Sequence, residues 1–367
     1  MNVEFSAGGR DCRGQSTCAP PVVPKLPPGP GFFESLAWMV GWHAVQIGVT
    51  IVAIALVFSG FVLPVGFDPA VTGLMGLIDA WLSSARDNIV GVLAVVQTGM
   101  ILYGLAAIRL RRGRHGLRQL GLQLPWIRHW LLVGLLMAPM WILCSVLQNA
   151  VFQWAPSSQS DLQKMTESFL HAPLWLLVLV IGLAPALGEE LVFRGLIGRG
   201  LVARRGLLAG MVVTSVLFGV MHSNAAQAIG VIPLGLAMHF VYFTTRSFWA
   251  PVTLHLFSNS FSVILLKQRA ELQTDTLGGA QAALPTHLLV VCVAMVAAIA
   301  ILLWQTRVQY VLQDGSLWNP GFTSTELPPP EAHALPIRKT AHPLLLAGST
   351  FNSLGFVAAM WRLAANC

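Results

Sequence analysis

Two adjacent glutamates, Glu189 and Glu190, lie inside a long apolar run, and they alone among fifteen acidic residues do so. Burying a carboxylate in a membrane costs on the order of several kcal/mol unless a partner or a proton offsets it, so each demands a reason. Arg194, one helical turn beyond Glu190, supplies one for Glu190 as an ion pair. Glu189 points about 100° away from its neighbour on a helix and is left to face a cavity. Three histidines fall in the next three apolar runs: His222, His239 and His255. His239 reads as a packed core residue, because intrahelical polar groups usually find local partners. His222 closes the run Phe218-Gly219-Val220-Met221-His222, which sets Phe218 on its own face one turn away. His255 is followed one turn later by Asn259, so an imidazole and a carboxamide share a face. A carboxylate base, two imidazoles and an amide donor supply what amide hydrolysis needs: an activated water, a proton shuttle and a stabilised oxyanion.

The same residues allow a second arrangement. Glu189, His222 and His255 could hold zinc with one position left for water, although the chain lacks the His-Glu-x-x-His helix that usually delivers such ligands. A neutral amide such as Asn259 is a good oxyanion donor and an uncommon zinc ligand, which favours direct activation of water. Zinc therefore stands as a possible cofactor and no other is implied.

These side chains need elements that only a bilayer supports. The 367 residues are 55% hydrophobic and 10% charged, against about 25% charge in an ordinary soluble domain. The mean hydropathy is +0.68. Apolar blocks run over 36–63, 88–108, 129–152, 173–203, 206–222, 225–245, 248–266 and 286–305, each near the length a bilayer requires. An all-α, polytopic transmembrane bundle of about eight helices is expected, because isolated strands cannot satisfy their backbone groups in lipid. Residues 1–30 form a Pro/Gly-rich tail without the apolar run of a signal peptide, and neither end of the sequence carries a lipidation motif. The bundle then occupies 31–305, residues 306–342 read as a cytoplasmic linker, and 343–367 form an apolar C-terminal segment whose stretch 343–361 is a marginal ninth span.

Charge fixes an orientation. Arg109, Arg111, Arg112, Arg114, Arg118 and Arg128 crowd one gap, which predicts a cytoplasmic face there and, by alternation, a cytoplasmic N-terminus. The net charge of +7 is spent in such gaps, so the partner is the lipid bilayer and no nucleic acid is expected. Glu189 and His222 come to matching depths if the fourth helix continues past Arg194 to Arg204: Glu189 then lies about 22 Å from that end, and His222 about 24 Å along the next helix. Pro185, one turn before Glu189, is expected to kink or widen the site.

The runs Glu189-Glu190-Leu191-Val192-Phe193-Arg194, Phe218 to His222, and His255-Leu256-Phe257-Ser258-Asn259 resemble the three motifs of the CPBP intramembrane proteases. That family contains the type II CAAX prenyl endopeptidases and bacterial relatives linked to bacteriocin processing and immunity. The resemblance covers about 175–265, and Arg246-Ser247-Phe248-Trp249-Ala250-Pro251 resembles the family's approach to its third motif. It implies an intramembrane endopeptidase, metallo- or glutamate-dependent, acting on a membrane-associated peptide or protein. In it Glu189 with His222 would activate water, and His255 with Asn259 would stabilise the oxyanion or help hold a metal. Glu190 and Arg194 would support the site. A composition rich in Gly, Ala and Arg points to a bacterial inner membrane. Two other classes use the same parts: a non-proteolytic binding, immunity or scaffold protein, and a proton-coupled transporter, against which the lack of an internal repeat argues.

Overall fold

The computed structural model describes residues 29–60, 88–113, 116–167, 169, 171–271, 285–318 and 333–334, with positions 73 and 76. The apolar stretch 343–361 and the tail before Gly29 lie outside the described residues.

The architecture is a polytopic helical bundle. Its helices are α1 (Phe32–Gly60), α2 (Ile89–Arg112), α3 (Ile127–Trp154), α4 (Pro156–Glu167), α5 (Leu174–Arg205), α6 (Leu207–Val220), α7 (Ala225–Thr245), α8 (Trp249–Glu271) and α9 (Thr286–Gln305). Each of the eight apolar blocks forms one of these helices. The polar α4 is an addition, since apolar patterning gives no sign of it. Among the described residues seven helices are long and apolar enough to cross a membrane, whereas α6 has only 14 residues. The bundle's exterior is apolar: Leu102, Leu131, Leu208 and Val290 are 61%, 62%, 74% and 61% exposed, as a lipid solvent permits.

Helix α5 lies at the centre. Over half of its apolar window is buried (56%), against 17% for α1 and α9. Its Phe193, Ile197 and Leu201 pack with Phe218 of α6, Met238 and Val241 of α7 and Leu254 of α8 in one core. It continues as one helix past Arg194 to Arg205, as matched depths for Glu189 and His222 require. Two π-helical segments interrupt it, Val178–Leu183 and Phe193–Gly198, and they bracket the α-helical stretch Ala184–Val192 that carries both glutamates. Pro185 accounts for the first. Proline has no N–H to offer the carbonyl four residues back, here Ile181, and its ring clashes with that carbonyl, so the expected kink takes the form of a wider turn in which Ala184 N–H reaches back five residues to Leu179.

One end of the bundle gathers the arginines. Glu34 at the start of α1 pairs with Arg111 at the end of α2. Arg204 donates to the Gly29 carbonyl at 3.2 Å, Arg205 lies over the Phe32 ring, and Arg246 donates to the Val308 carbonyl at 3.3 Å. The start of α1 and the residues after α9 thus meet at the same end of the bundle. There the segment 116–126 folds back over the start of α8. Tyr242 hydroxyl donates to the Leu120 carbonyl at 3.0 Å, Ser247 hydroxyl to Gln123 at 2.6 Å and Trp249 indole to Leu122 at 2.9 Å. Gly121 is obligatory in this latch: its φ is +72°, and a Cβ there would overlap the Arg246 carbonyl oxygen. Within the segment read as a linker lies a minimal antiparallel sheet of two-residue strands, ordered Leu317–Trp318, Tyr310–Val311, His333–Ala334.

Candidate active site

Glu190 and Arg194 behave as their spacing dictates. On the wall of α5 the Arg194 Nη1 donates to Glu190 Oε1 at 2.8 Å, and neither side chain is exposed to solvent. Arg194 Nη2 donates to the Gly235 carbonyl of α7 at 3.0 Å, and its guanidinium carbon stands 4.8 Å from the centre of the Phe218 ring of α6. One buried cation therefore ties three helices together. A buried charge survives only when paired and hydrogen-bonded, and this one is both.

Glu190 does a second thing that its sequence position does not reveal. Its Oε1 also lies 3.0 Å from His255 Nδ1 on α8. An ionised carboxylate only accepts, so Nδ1 carries the proton by assignment from its partner, and Nε2 becomes the free nitrogen of the neutral ring. That Nε2 faces Glu189, with Oε2 at 3.8 Å. Glu189 Oε2 is itself buried and has no hydrogen-bond partner among the described residues, while the Glu189 side chain as a whole keeps 20% of its surface exposed. The two neighbouring carboxylates thus grip opposite sides of one imidazole: Glu190 fixes it and Glu189 confronts its open nitrogen.

Phe218 joins the histidines. Its ring meets His222 edge-on at 5.3 Å, His255 at 5.8 Å and Phe193 at 5.2 Å. His222 sits just past the end of α6, partly exposed, and its Nδ1 lies 3.1 Å from the Phe218 carbonyl. Among the described residues no hydrogen bond joins His222 to Glu189, so Phe218 is the link between His222 and the Glu189–His255 pair. Two residues after His222, Asn224 caps α7 by accepting from Ala226 and Gln227 N–H at 3.1 Å each, and its amide donates to the Ser158 carbonyl of α4 at 2.7 Å. The polar α4 is thereby pinned to the loop that carries His222.

Asn259 shares the His255 face, and its amide donates at 3.1 Å to the Ile181 carbonyl, which Pro185, four residues on, has no N–H to bond. A carboxamide has a second N–H, which is the part available for an oxyanion. His239 is packed in the core as expected, 4% exposed against Gly198, where any Cβ would overlap its ring, but the local partner expected of it is missing: its Nδ1 has no hydrogen bond among the described residues.

The proposed zinc ligands do not form a metal site as they stand. Among the described residues no group of three or more His, Cys, Asp and Glu side chains could hold a metal ion. Glu189 and His255 approach one another, while His222 reaches them through the Phe218 ring.

Sequence reasoning missed the bond from Glu190 to His255 and the anchoring of Asn224 to Ser158. Their partners lie 65 and 66 residues apart in the chain, and no local spacing encodes them.

Residues 171–261, which hold all of these side chains except Ser158, match the family described as "Type II CAAX prenyl endopeptidase Rce1-like". Over 90 residues the chain is 28% identical to the "Putative membrane peptidase YdiL" of Bacillus subtilis (strain 168). That alignment covers 24% of this chain and 37% of the relative, so the chain matches little more than a third of the length of its relative. No solved structure matches the chain.

Proposed function

From the premise that residues 171–261 are a core of the CPBP family, we propose that this protein is an intramembrane endopeptidase that hydrolyses a peptide bond of a membrane-associated peptide or protein. The observation that carries this reading is the unpartnered Glu189 Oε2 facing His255 Nε2 at 3.8 Å. A water can hydrogen-bond to both atoms at once across that separation. Glu189 takes a proton from the water as its oxygen bonds to the scissile carbonyl carbon. The C–N bond then breaks, and the proton passes to the leaving amine. Glu190, held by Arg194, keeps His255 oriented through Nδ1. His222, whose Nε2 is open among the described residues, is the nearest second imidazole for the proton's return, and the remaining N–H of Asn259 serves the oxyanion.

The test is cleavage itself. Purified protein in detergent, incubated with a library of membrane peptides, should release fragments that are absent with Glu189→Gln. A wild-type protein that binds such peptides without cutting any would overturn the protease reading in favour of a binding or immunity role.

Two finer readings accompany the proposal. Water is activated directly and not on zinc, because the donor set as arranged does not converge. Stoichiometric zinc in active protein, lost together with activity on chelation and in His222→Ala, would overturn this. The arginine end faces the cytoplasm of a bacterial inner membrane. Arg128→Cys, in a chain with its own cysteines replaced, should resist an impermeant external thiol reagent, and rapid labelling would reverse the orientation.

A further inference from the structure

At the arginine end, three hydrogen-bond donors are buried without an acceptor among the described residues. Arg112, the last residue of α2, is 8% exposed, and its Nη1 donates to Gln119 Oε1 at 2.9 Å. Its Nε and Nη2 have no partner. Gln119 is 5% exposed, and its Nε2 has none either. Buried donors are almost always satisfied, so three left open on two touching side chains mark an absent acceptor.

The kind of acceptor follows from the geometry. Nε and Nη2 form one edge of the guanidinium, the edge whose two parallel N–H bonds match two oxygens of a phosphate or carboxylate. Arg111 and Arg199 lie close enough to repel Arg112, and no ion pair reaches Arg112 among the described residues. Arg199 donates to the Gln119 backbone carbonyl, so two guanidiniums straddle the same short turn, Arg118–Leu120. Gly29 lets the chain pack against the Gly200 backbone beside Arg112: an ideal Cβ there would stand 2.7 Å from Gly200 Cα and 3.2 Å from Arg112 Nη2. The location selects the ligand class. Arg112 ends a helix of 24 residues, about 36 Å long, which places it at the level of lipid headgroups.

We propose that Arg112, with Gln119, forms a binding site for a phosphate group, that of an anionic phospholipid headgroup at the arginine end of the bundle. The site is separate from the glutamate and histidine cluster and does not depend on the proposed chemistry there.

Full-length protein in detergent should retain phosphatidylglycerol in native mass spectrometry, in preference to phosphatidylcholine. Arg112→Gln should weaken that binding about tenfold or more, as loss of a bidentate charged contact predicts. Arg112→Lys, which keeps the charge and spares the fold, should weaken it as well by removing the fork. Inorganic phosphate that raises the melting temperature of wild type but not of Arg112→Lys would assign the same donors to free phosphate if the lipid fails to bind. Equal lipid retention by wild type and both variants, with no response to phosphate, would mean that water satisfies these donors and would overturn the site.

Discussion

The amide of Asn259 donates at 3.1 Å to the carbonyl of Ile181, the one acceptor in α5 that Pro185, four residues on, has no N–H to reach. The helix carrying His255 and the helix carrying the glutamates are therefore joined at a gap that proline opens. Contact is close there: an ideal Cβ at Gly182 would stand 2.7 Å from Ser260 Oγ on α8.

Asn259→Ala should consequently do two things. Losing an oxyanion donor lowers the turnover rate about 100- to 1000-fold. Stranding the Ile181 carbonyl lowers stability by about 1–3 kcal/mol, visible as a lower melting temperature in detergent. A melting temperature equal to wild type would show that the bond to Ile181 contributes nothing.

Glu189→Gln keeps the shape of the side chain and removes the base, and it should abolish cleavage at near-normal protein abundance. His255→Ala and His222→Ala should do the same. Full turnover by the Gln variant on a confirmed substrate would remove Glu189 from the chemistry.

Arg194→Ala strands a carboxylate with no solvent exposure and severs the contact to Gly235, so it should cost about 3–5 kcal/mol of stability as well as activity. Its melting curve in detergent decides this, and an unchanged curve contradicts the buried pair.

Gly121→Ala should destabilise the latch over the start of α8 by about 2 kcal/mol or more, since the residue is held at φ +72° against the Arg246 carbonyl. Limited proteolysis between Arg112 and Trp126 is a direct readout. Wild-type resistance to cleavage there would mean that the turn relaxes without cost.

Much of this arrangement is legible in the sequence because much of it is local. The eight apolar blocks, the unbroken α5 and the Glu190–Arg194 pair each follow from one helical period and the length of a bilayer. Pro185 announces a defect in α5, though only the structure gives it the form of a π turn with Asn259 filling it. What escapes a reading of the sequence is relational. The Glu190–His255 bond depends on how α5 and α8 rotate about their axes, and that rotation is set by packing across the core. The polar α4 escapes for another reason, since an apolar pattern is silent about a helix that avoids lipid.

Each π turn holds one residue more than an α-helical turn would, so α5 carries two supernumerary positions, one on either side of the glutamates. A wider turn rotates the chain less per residue and so absorbs the surplus one: deleting a single residue from Val178–Leu183 would leave a regular helix with Leu174–Leu177 still facing the same way relative to Glu189. The π turn is therefore an angular buffer: it lets α5 hold one residue more without changing which way its first turn faces, with Glu189 held fixed by the core behind it.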